Sequence, residues 1–124
     1  MNGTEARGGH VVLDYTGYSP PFEGDGGWML QVLRNCVRRA GVREVHSHVE
    51  QFDGTESPPG FAAVVLIDES HVSAHCYSES GLLAIDIFTC GGSDPSALAD
   101  DIHREVAKAV PEIELAGRKM LDRF

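Results

Sequence analysis

Four stretches rich in β-branched and aromatic residues follow one another between Val45 and Thr89, and only short turn-forming runs separate them. That succession restricts the chain to a mainly antiparallel sheet, because parallel neighbours need a crossover of a dozen or more residues. Residues 45–52 alternate Val45, Ser47, Val49, Gln51 against His46, His48, Glu50, Phe52, the period of a strand with two unlike faces. The polar turn 53–60, with Pro58-Pro59, leads back into residues 61–67, an unbroken apolar run that reads as a buried strand. Residues 72–77 and 83–89 then form a second hairpin about Ser78-Glu79-Ser80-Gly81.

The flanks supply the rest of the fold. Residues 10–15 (HVVLDY) read as a first strand, ended by Gly17 and Pro20-Pro21. From Trp28 the apolar positions Leu30, Leu33, Cys36, Val37 and Ala40 recur at helical spacing and stop at Gly41. Gly91-Gly92-Ser93-Asp94-Pro95 opens a second helix, capped by Ser93 or Asp94, with Leu98, Ile102, Val106 and Val110 as its apolar face. Residues 112–115 read as a last strand. The expectation is α+β: a two-layer sandwich, a mainly antiparallel sheet with two helices on one face, summarised as the order βα-βββ-αβ, in a single domain over residues 1–124.

At 124 residues, 42% hydrophobic and 23% charged, the chain can bury a core without staples. A formal charge of −9, with only 10 Lys and Arg, argues against a nucleic-acid partner and favours a cationic ligand. The longest apolar run is far short of the ~20 residues that span a bilayer, so no membrane partner is expected. The opening Met1-Asn2-Gly3-Thr4-Glu5-Ala6-Arg7 lacks the apolar segment of a secretory signal, which points to the cytoplasm. Cys36, Cys76 and Cys90 form no CxxC pair and cannot all be paired within one chain, so at least one thiol is free for packing or chemistry.

The second hairpin carries the chemistry. With its turn centred near residue 80, Ser70 falls across from Cys90 and His75 across from Ile85, and the three groups share one site at the end of the sheet. A serine hydroxyl can attack the carbonyl of the residue before it, here Glu69, and turn the amide into an ester. Loss of the serine α-proton then expels the Glu69 carboxylate, and hydrolysis leaves a pyruvoyl group at position 70. His75 suits the proton transfer because imidazole titrates nearest neutral pH. A pyruvoyl carbonyl forms a Schiff base with a substrate amine and takes up the electrons released as carbon dioxide leaves. Cys90 can then return a proton to the substrate α-carbon.

Read as ESHVSAHCYSESGLLAIDIFTCGG, the stretch resembles the self-processing segment of the prokaryotic S-adenosylmethionine decarboxylase proenzymes, small pyruvoyl-dependent carboxy-lyases of polyamine (spermidine) biosynthesis. The resemblance is dense from Glu69 to Gly91 and weaker elsewhere, where residues 9–15 look like the family's first strand. It implies cleavage of the Glu69–Ser70 bond into chains 1–69 and 70–124. Ser70 becomes the pyruvoyl group, with no added cofactor, His75 assists processing and Cys90 is the proton donor. It implies substrate binding by Phe52, which would stack on the adenine ring, and by Glu79 on the ribose hydroxyls, with Tyr77 beside them. It also implies a homodimer whose sites use residues from both subunits. The sequence departs from the family at Cys76-Tyr77-Ser78, where threonine, tryptophan and proline are usual, and at Ala62 and Ala63, where a serine is usual. Those departures bear on substrate choice. A pyruvoyl-dependent arginine or ornithine decarboxylase on the same scaffold is the alternative, and a non-catalytic α+β dimerising or ligand-binding module is a further one.

Plainer readings stand beside these. An isolated Glu-Ser-His triplet is ordinary strand-connecting sequence, and a lone cysteine is most often an inert buried thiol. Phe52 and Tyr77 read equally as rim aromatics, and Glu79 as a solvated turn residue. His46 and His48 share a strand face and, with His71 or His75, would offer imidazoles to a metal. No carboxylate or cysteine falls at a recognised ligand spacing, so no metal is expected. Gly91-Gly92-Ser93 could cradle a phosphate, but helix capping already accounts for it.

Overall fold

Alternation of apolar and polar residues writes most of the secondary structure in the computed structural model of the chain, which describes residues 7–90 and 92–124. The opening six residues, read above as lacking a signal, and Gly91 of the glycine pair lie outside the described residues. The elements are β1 (Gly8–Thr16), α1 (Asp25–Arg39), β2 (Glu44–Phe52), β3 (Gly60–Ile67), β4 (Ser70–Tyr77), β5 (Leu82–Cys90), α2 (Pro95–Ala109) and β6 (Glu114–Arg123). They form one six-stranded sheet in the order β2-β3-β4-β5-β1-β6, with every neighbouring pair antiparallel. Both helices pack on one face of it and on each other. The α+β two-layer sandwich is therefore as read from the sequence. Four strands stand between the helices, as the four segments require, so the order βα-βββ-αβ counts one too few.

The core lies between sheet and helices. Val11, Leu13 and Tyr15 of β1, Phe61, Ala63, Val65 and Ile67 of β3, and Leu83, Ile85 and Ile87 of β5 are buried at every second position. Against them α1 sets Met29, Val32, Leu33, Cys36 and Val37, and α2 sets Leu98, Ala99, Ile102 and Val106. The α1 stripe is rotated from the expected one: Ala40 is exposed and Leu30 only half-buried, because Met29 and Val32 take the face toward the sheet. Asp94 caps α2, accepting bonds from the N–H groups of Ser96 at 2.9 Å and Ala97 at 3.3 Å. Asp25 begins α1 but turns inward, where it accepts from Tyr18 Oη at 2.6 Å and Gln51 Nε2 at 3.1 Å.

Two strand expectations need correction. The last strand is not residues 112–115 but β6, which pairs with β1 along Thr16 to Gly8. Its sequence shows no apolar alternation because it is an edge strand held by backbone bonds and exposed along nearly its whole length. β3, apolar on both sides, is buried on one side only: Phe61, Ala63, Val65 and Ile67 face the helices, while Ala62, Val64 and the exposed Leu66 face away. Among the described residues no element covers that second face of the sheet. No helix among the described residues is long and apolar enough to cross a membrane.

Candidate active site

Ser70 is the first residue of β4, paired with Ile67, so Asp68 and Glu69 alone make the connection from β3. Glu69 stands at φ 64, in the left-handed region that costs an L-residue roughly 1–2 kcal/mol. The Ser70 Oγ accepts a hydrogen bond of 2.9 Å from the Cys90 N–H, which fixes the hydroxyl against the end of β5. Ser70 and Cys90 therefore meet, although the β4–β5 register runs one residue from that expected: His75 pairs with Ala84, not Ile85. The turn at Ser78–Gly81 sets that register, with Gly81 at φ 65.

Cys90 ends β5 opposite Gly8, and both lie on the uncovered face with Phe88. A Cβ on Gly8 would stand 3.2 Å from the Cys90 Sγ and 3.0 Å from the Thr89 carbonyl oxygen, so this glycine leaves the thiol its space. Cys90 is half-buried, whereas Cys36 and Cys76 are buried. Burial, helped by Asp101, pushes the Cys36 thiol up to about 12, and burial with Asp25 does the same to Cys76. Those two are packing residues.

Beside Cys90 on the same face stands a group that the sequence reading did not single out. His10 Nε2 lies 3.0 Å from Asp86 Oδ1, and the rings of His10 and His71 both pack on Phe88. Burial, and next the neighbouring His10, hold His71 below its ordinary value, while Asp86 pulls the other way. The signal was present in the words IDIFTC: alternation puts Asp86, Phe88 and Cys90 on one face of one strand.

His75 is not part of this end. It lies five residues along β4 from Ser70, about 16 Å at 3.3 Å per residue, and an odd number of steps turns it to the opposite face. One hairpin in one chain thus brings Ser70 and Cys90 together and leaves His75 apart. His75 instead joins Phe52 and Tyr77 around a pocket of about 230 Å³ floored by Phe61 and Ala62. Glu79 sits exposed in the β4–β5 turn, outside that lining. A shallow groove of about 450 Å³ on the uncovered face, lined by His48, Val64, Leu66, His71, Ser73 and His75, runs between the two ends. His46 and His48 do share this face, and His48 Nε2 contacts Glu50 Oε1 at 2.9 Å. Among the described residues no three His, Cys, Asp or Glu side chains are gathered to hold a metal ion.

The fold and the serine–cysteine pair define a class: a small α+β protein that brings a serine hydroxyl and a half-buried cysteine together at the end of one antiparallel sheet. The sequence profile of S-adenosylmethionine decarboxylase matches residues 9–119. The S-adenosylmethionine decarboxylase proenzyme of Shouchella clausii is 35% identical over 112 residues, covering 88% of this chain and 82% of that protein. The proenzymes of Persephonella marina (37% over 78 residues) and Pyrococcus horikoshii (31% over 96) match 63% and 77% of this chain. Those matches span only 56% and 66% of the two relatives' own lengths. The crystal structure of the adenosylmethionine decarboxylase from Aquifex aeolicus superposes with a TM-score of 0.70 at 26% identity, over 97% of this chain and 92% of that one. This chain belongs to the S-adenosylmethionine decarboxylase family.

Proposed function

We propose that this chain is a self-processing, pyruvoyl-dependent S-adenosylmethionine decarboxylase that works as a homodimer. The observation that carries the reading is the connection at 68–69: a left-handed Glu69 precedes a serine whose Oγ is held by the Cys90 amide. Ser70 Oγ attacks the Glu69 carbonyl carbon, the Glu69–Ser70 C–N bond breaks, and the freed nitrogen takes up the hydroxyl proton, leaving Glu69 as an ester on Oγ. Removal of the Ser70 α-proton expels the Glu69 carboxylate and leaves dehydroalanine. Water then displaces the nitrogen as ammonia, giving chains 1–69 and 70–124. The pyruvoyl group so made supplies the electron sink for decarboxylation. Cys90 holds the proton that the substrate α-carbon needs afterwards.

What one chain lacks supports the homodimer. Cys90, with Ser70 bonded to its amide, lies at one end of the sheet, and His75, Phe52 and Tyr77 lie toward the other. The uncovered face exposes Leu66, Tyr77, Leu82 and Leu121, which water disfavours. A second copy laid on it about a two-fold axis, with the strands antiparallel, covers the outward side of β3 and brings the partner subunit's His75 to the end of the sheet that holds Ser70 and Cys90. Phe52 and Tyr77 then offer stacking surfaces to the adenine, and Glu79 an acceptor for the ribose hydroxyls. The formal charge of −9 favours a sulfonium-bearing substrate. Three free thiols fit a reducing compartment such as the cytoplasm.

Mass spectrometry of purified protein tests the first half: two species, the second starting at a blocked, hydrazine-reactive residue 70, are expected, and a chain that stays whole overturns the reading. Carbon dioxide release from S-adenosylmethionine, arginine, ornithine and lysine in parallel tests the second. Release from arginine or ornithine alone overturns the substrate.

A further inference from the structure

We propose that Arg43 and Asp68 form a positioning clamp that holds the 68–69 turn in the geometry from which the chain cuts itself, an inference that rests on the self-processing reading. Two-residue hairpin turns select their shape by placing Gly, Asn or Asp where φ is positive. Here the positive-φ position is Glu69, which has no such preference, so the shape must be imposed from outside the turn.

Three bonds to one residue impose it. Arg43 Nη2 donates to Asp68 Oδ1 at 2.7 Å, Arg43 Nε donates to Asp68 Oδ2 at 3.0 Å, and the Asp68 N–H donates to the Arg43 carbonyl oxygen at 3.2 Å. The two side-chain bonds make a bidentate fork, which fixes direction as well as distance. Arg43 is itself placed by the end of α1. Gly41 at φ 75 donates to the Arg38 carbonyl at 3.0 Å, and Val42 donates to the Val37 carbonyl at 3.2 Å, the two bonds of a Schellman motif. On the other side Glu44 Oε1 accepts from Arg34 Nε of α1 at 2.9 Å. Through the clamp the helix end reaches the peptide next to the scissile bond.

Both side chains of the pair are mostly in solvent, 70% and 53% exposed, and exposed pairs add little to global stability. Removing the clamp should therefore free the turn without unfolding the protein. A misplacement near 1 Å at a reacting bond can slow a reaction about a hundredfold.

The test is the first-order rate of cleavage of freshly translated or refolded full-length chain, followed by mass spectrometry beside the melting temperature. Arg43→Ala is expected to cut about 10- to 100-fold more slowly than wild type with its melting temperature nearly unchanged. Arg43→Lys, which keeps charge but loses the fork, and Asp68→Asn should fall between. Arg43→Ala combined with Asp68→Asn should cut no more slowly than Arg43→Ala alone. Once cut, Arg43→Ala chains should decarboxylate at the wild-type kcat per processed site. Cleavage of Arg43→Ala at the wild-type rate overturns the clamp while leaving self-processing in place, and a wild-type chain that never cuts overturns self-processing itself. Should Arg43→Ala fail to fold, Arg43→Lys and Asp68→Asn decide, and wild-type rates in both overturn the clamp.

Discussion

Glu69 holds a backbone conformation that, for a non-glycine residue, is shared among the described residues only by Phe124. Left-handed strain of roughly 1–2 kcal/mol at the attacked carbonyl is relieved when the amide becomes an ester, and 1.4 kcal/mol is about tenfold in rate. Glu69→Gly accepts the same φ without strain and is therefore expected to cut up to about tenfold more slowly; an unchanged rate means the strain is not used. His71 carries a pH dependence. The unfolded chain protonates this imidazole near 6.5, while burial and His10 hold the folded one lower. Protonation thus favours the unfolded state, so the stability linked to His71 is full above about 6.5 and is lost as pH falls below it. Between pH 7.5 and 5.5 the urea midpoint of the wild type should drop further than that of His71→Asn, and equal drops would remove His71 from this role.

At the scale of elements, alternation, and for β3 an unbroken apolar run, made β2 to β5 legible, and the Asp94-Pro95 pair made the start of α2 legible, because these signals are local. Asp94→Ala leaves two N–H groups of α2 without their acceptor and should lower the unfolding free energy by about 1 kcal/mol, read by chemical denaturation. The rotation of α1 was not legible. Met29 and Val32 fit a helical stripe as well as Leu30 and Ala40 do, and only the sheet beneath chooses between them. The length of β6 beyond Leu115 was not legible for a related reason: an exposed edge strand needs a neighbour to bond, not an apolar face. The one-residue register difference between β4 and β5 moved His75 from Ile85 to Ala84 without parting Ser70 from Cys90, since the serine reaches the Cys90 amide with its side chain.

For the whole molecule, two half-sites at opposite ends of one hairpin make a prediction about assembly. If His75 acts on the partner subunit's Ser70, chains carrying His75→Ala should stay whole alone yet be cut when co-expressed with Ser70→Ala chains, which supply the imidazole but cannot be cut themselves. Mass spectrometry of the mixed dimer reads this directly, and His75→Ala chains that remain whole in the mixture sink the shared site. The amino-acid order by itself determined β1 to β5, the α+β class and the Glu69-Ser70, His75 and Cys90 spacings, because alternation, turn residues and motif spacing act between near neighbours. Only the tertiary structure decided that Ser70 meets Cys90 while His75 does not, that Arg43 grips Asp68, and that an apolar strand keeps one side bare. Those outcomes depend on which face and which neighbour each strand finds, and contacts between residues distant in sequence settle both.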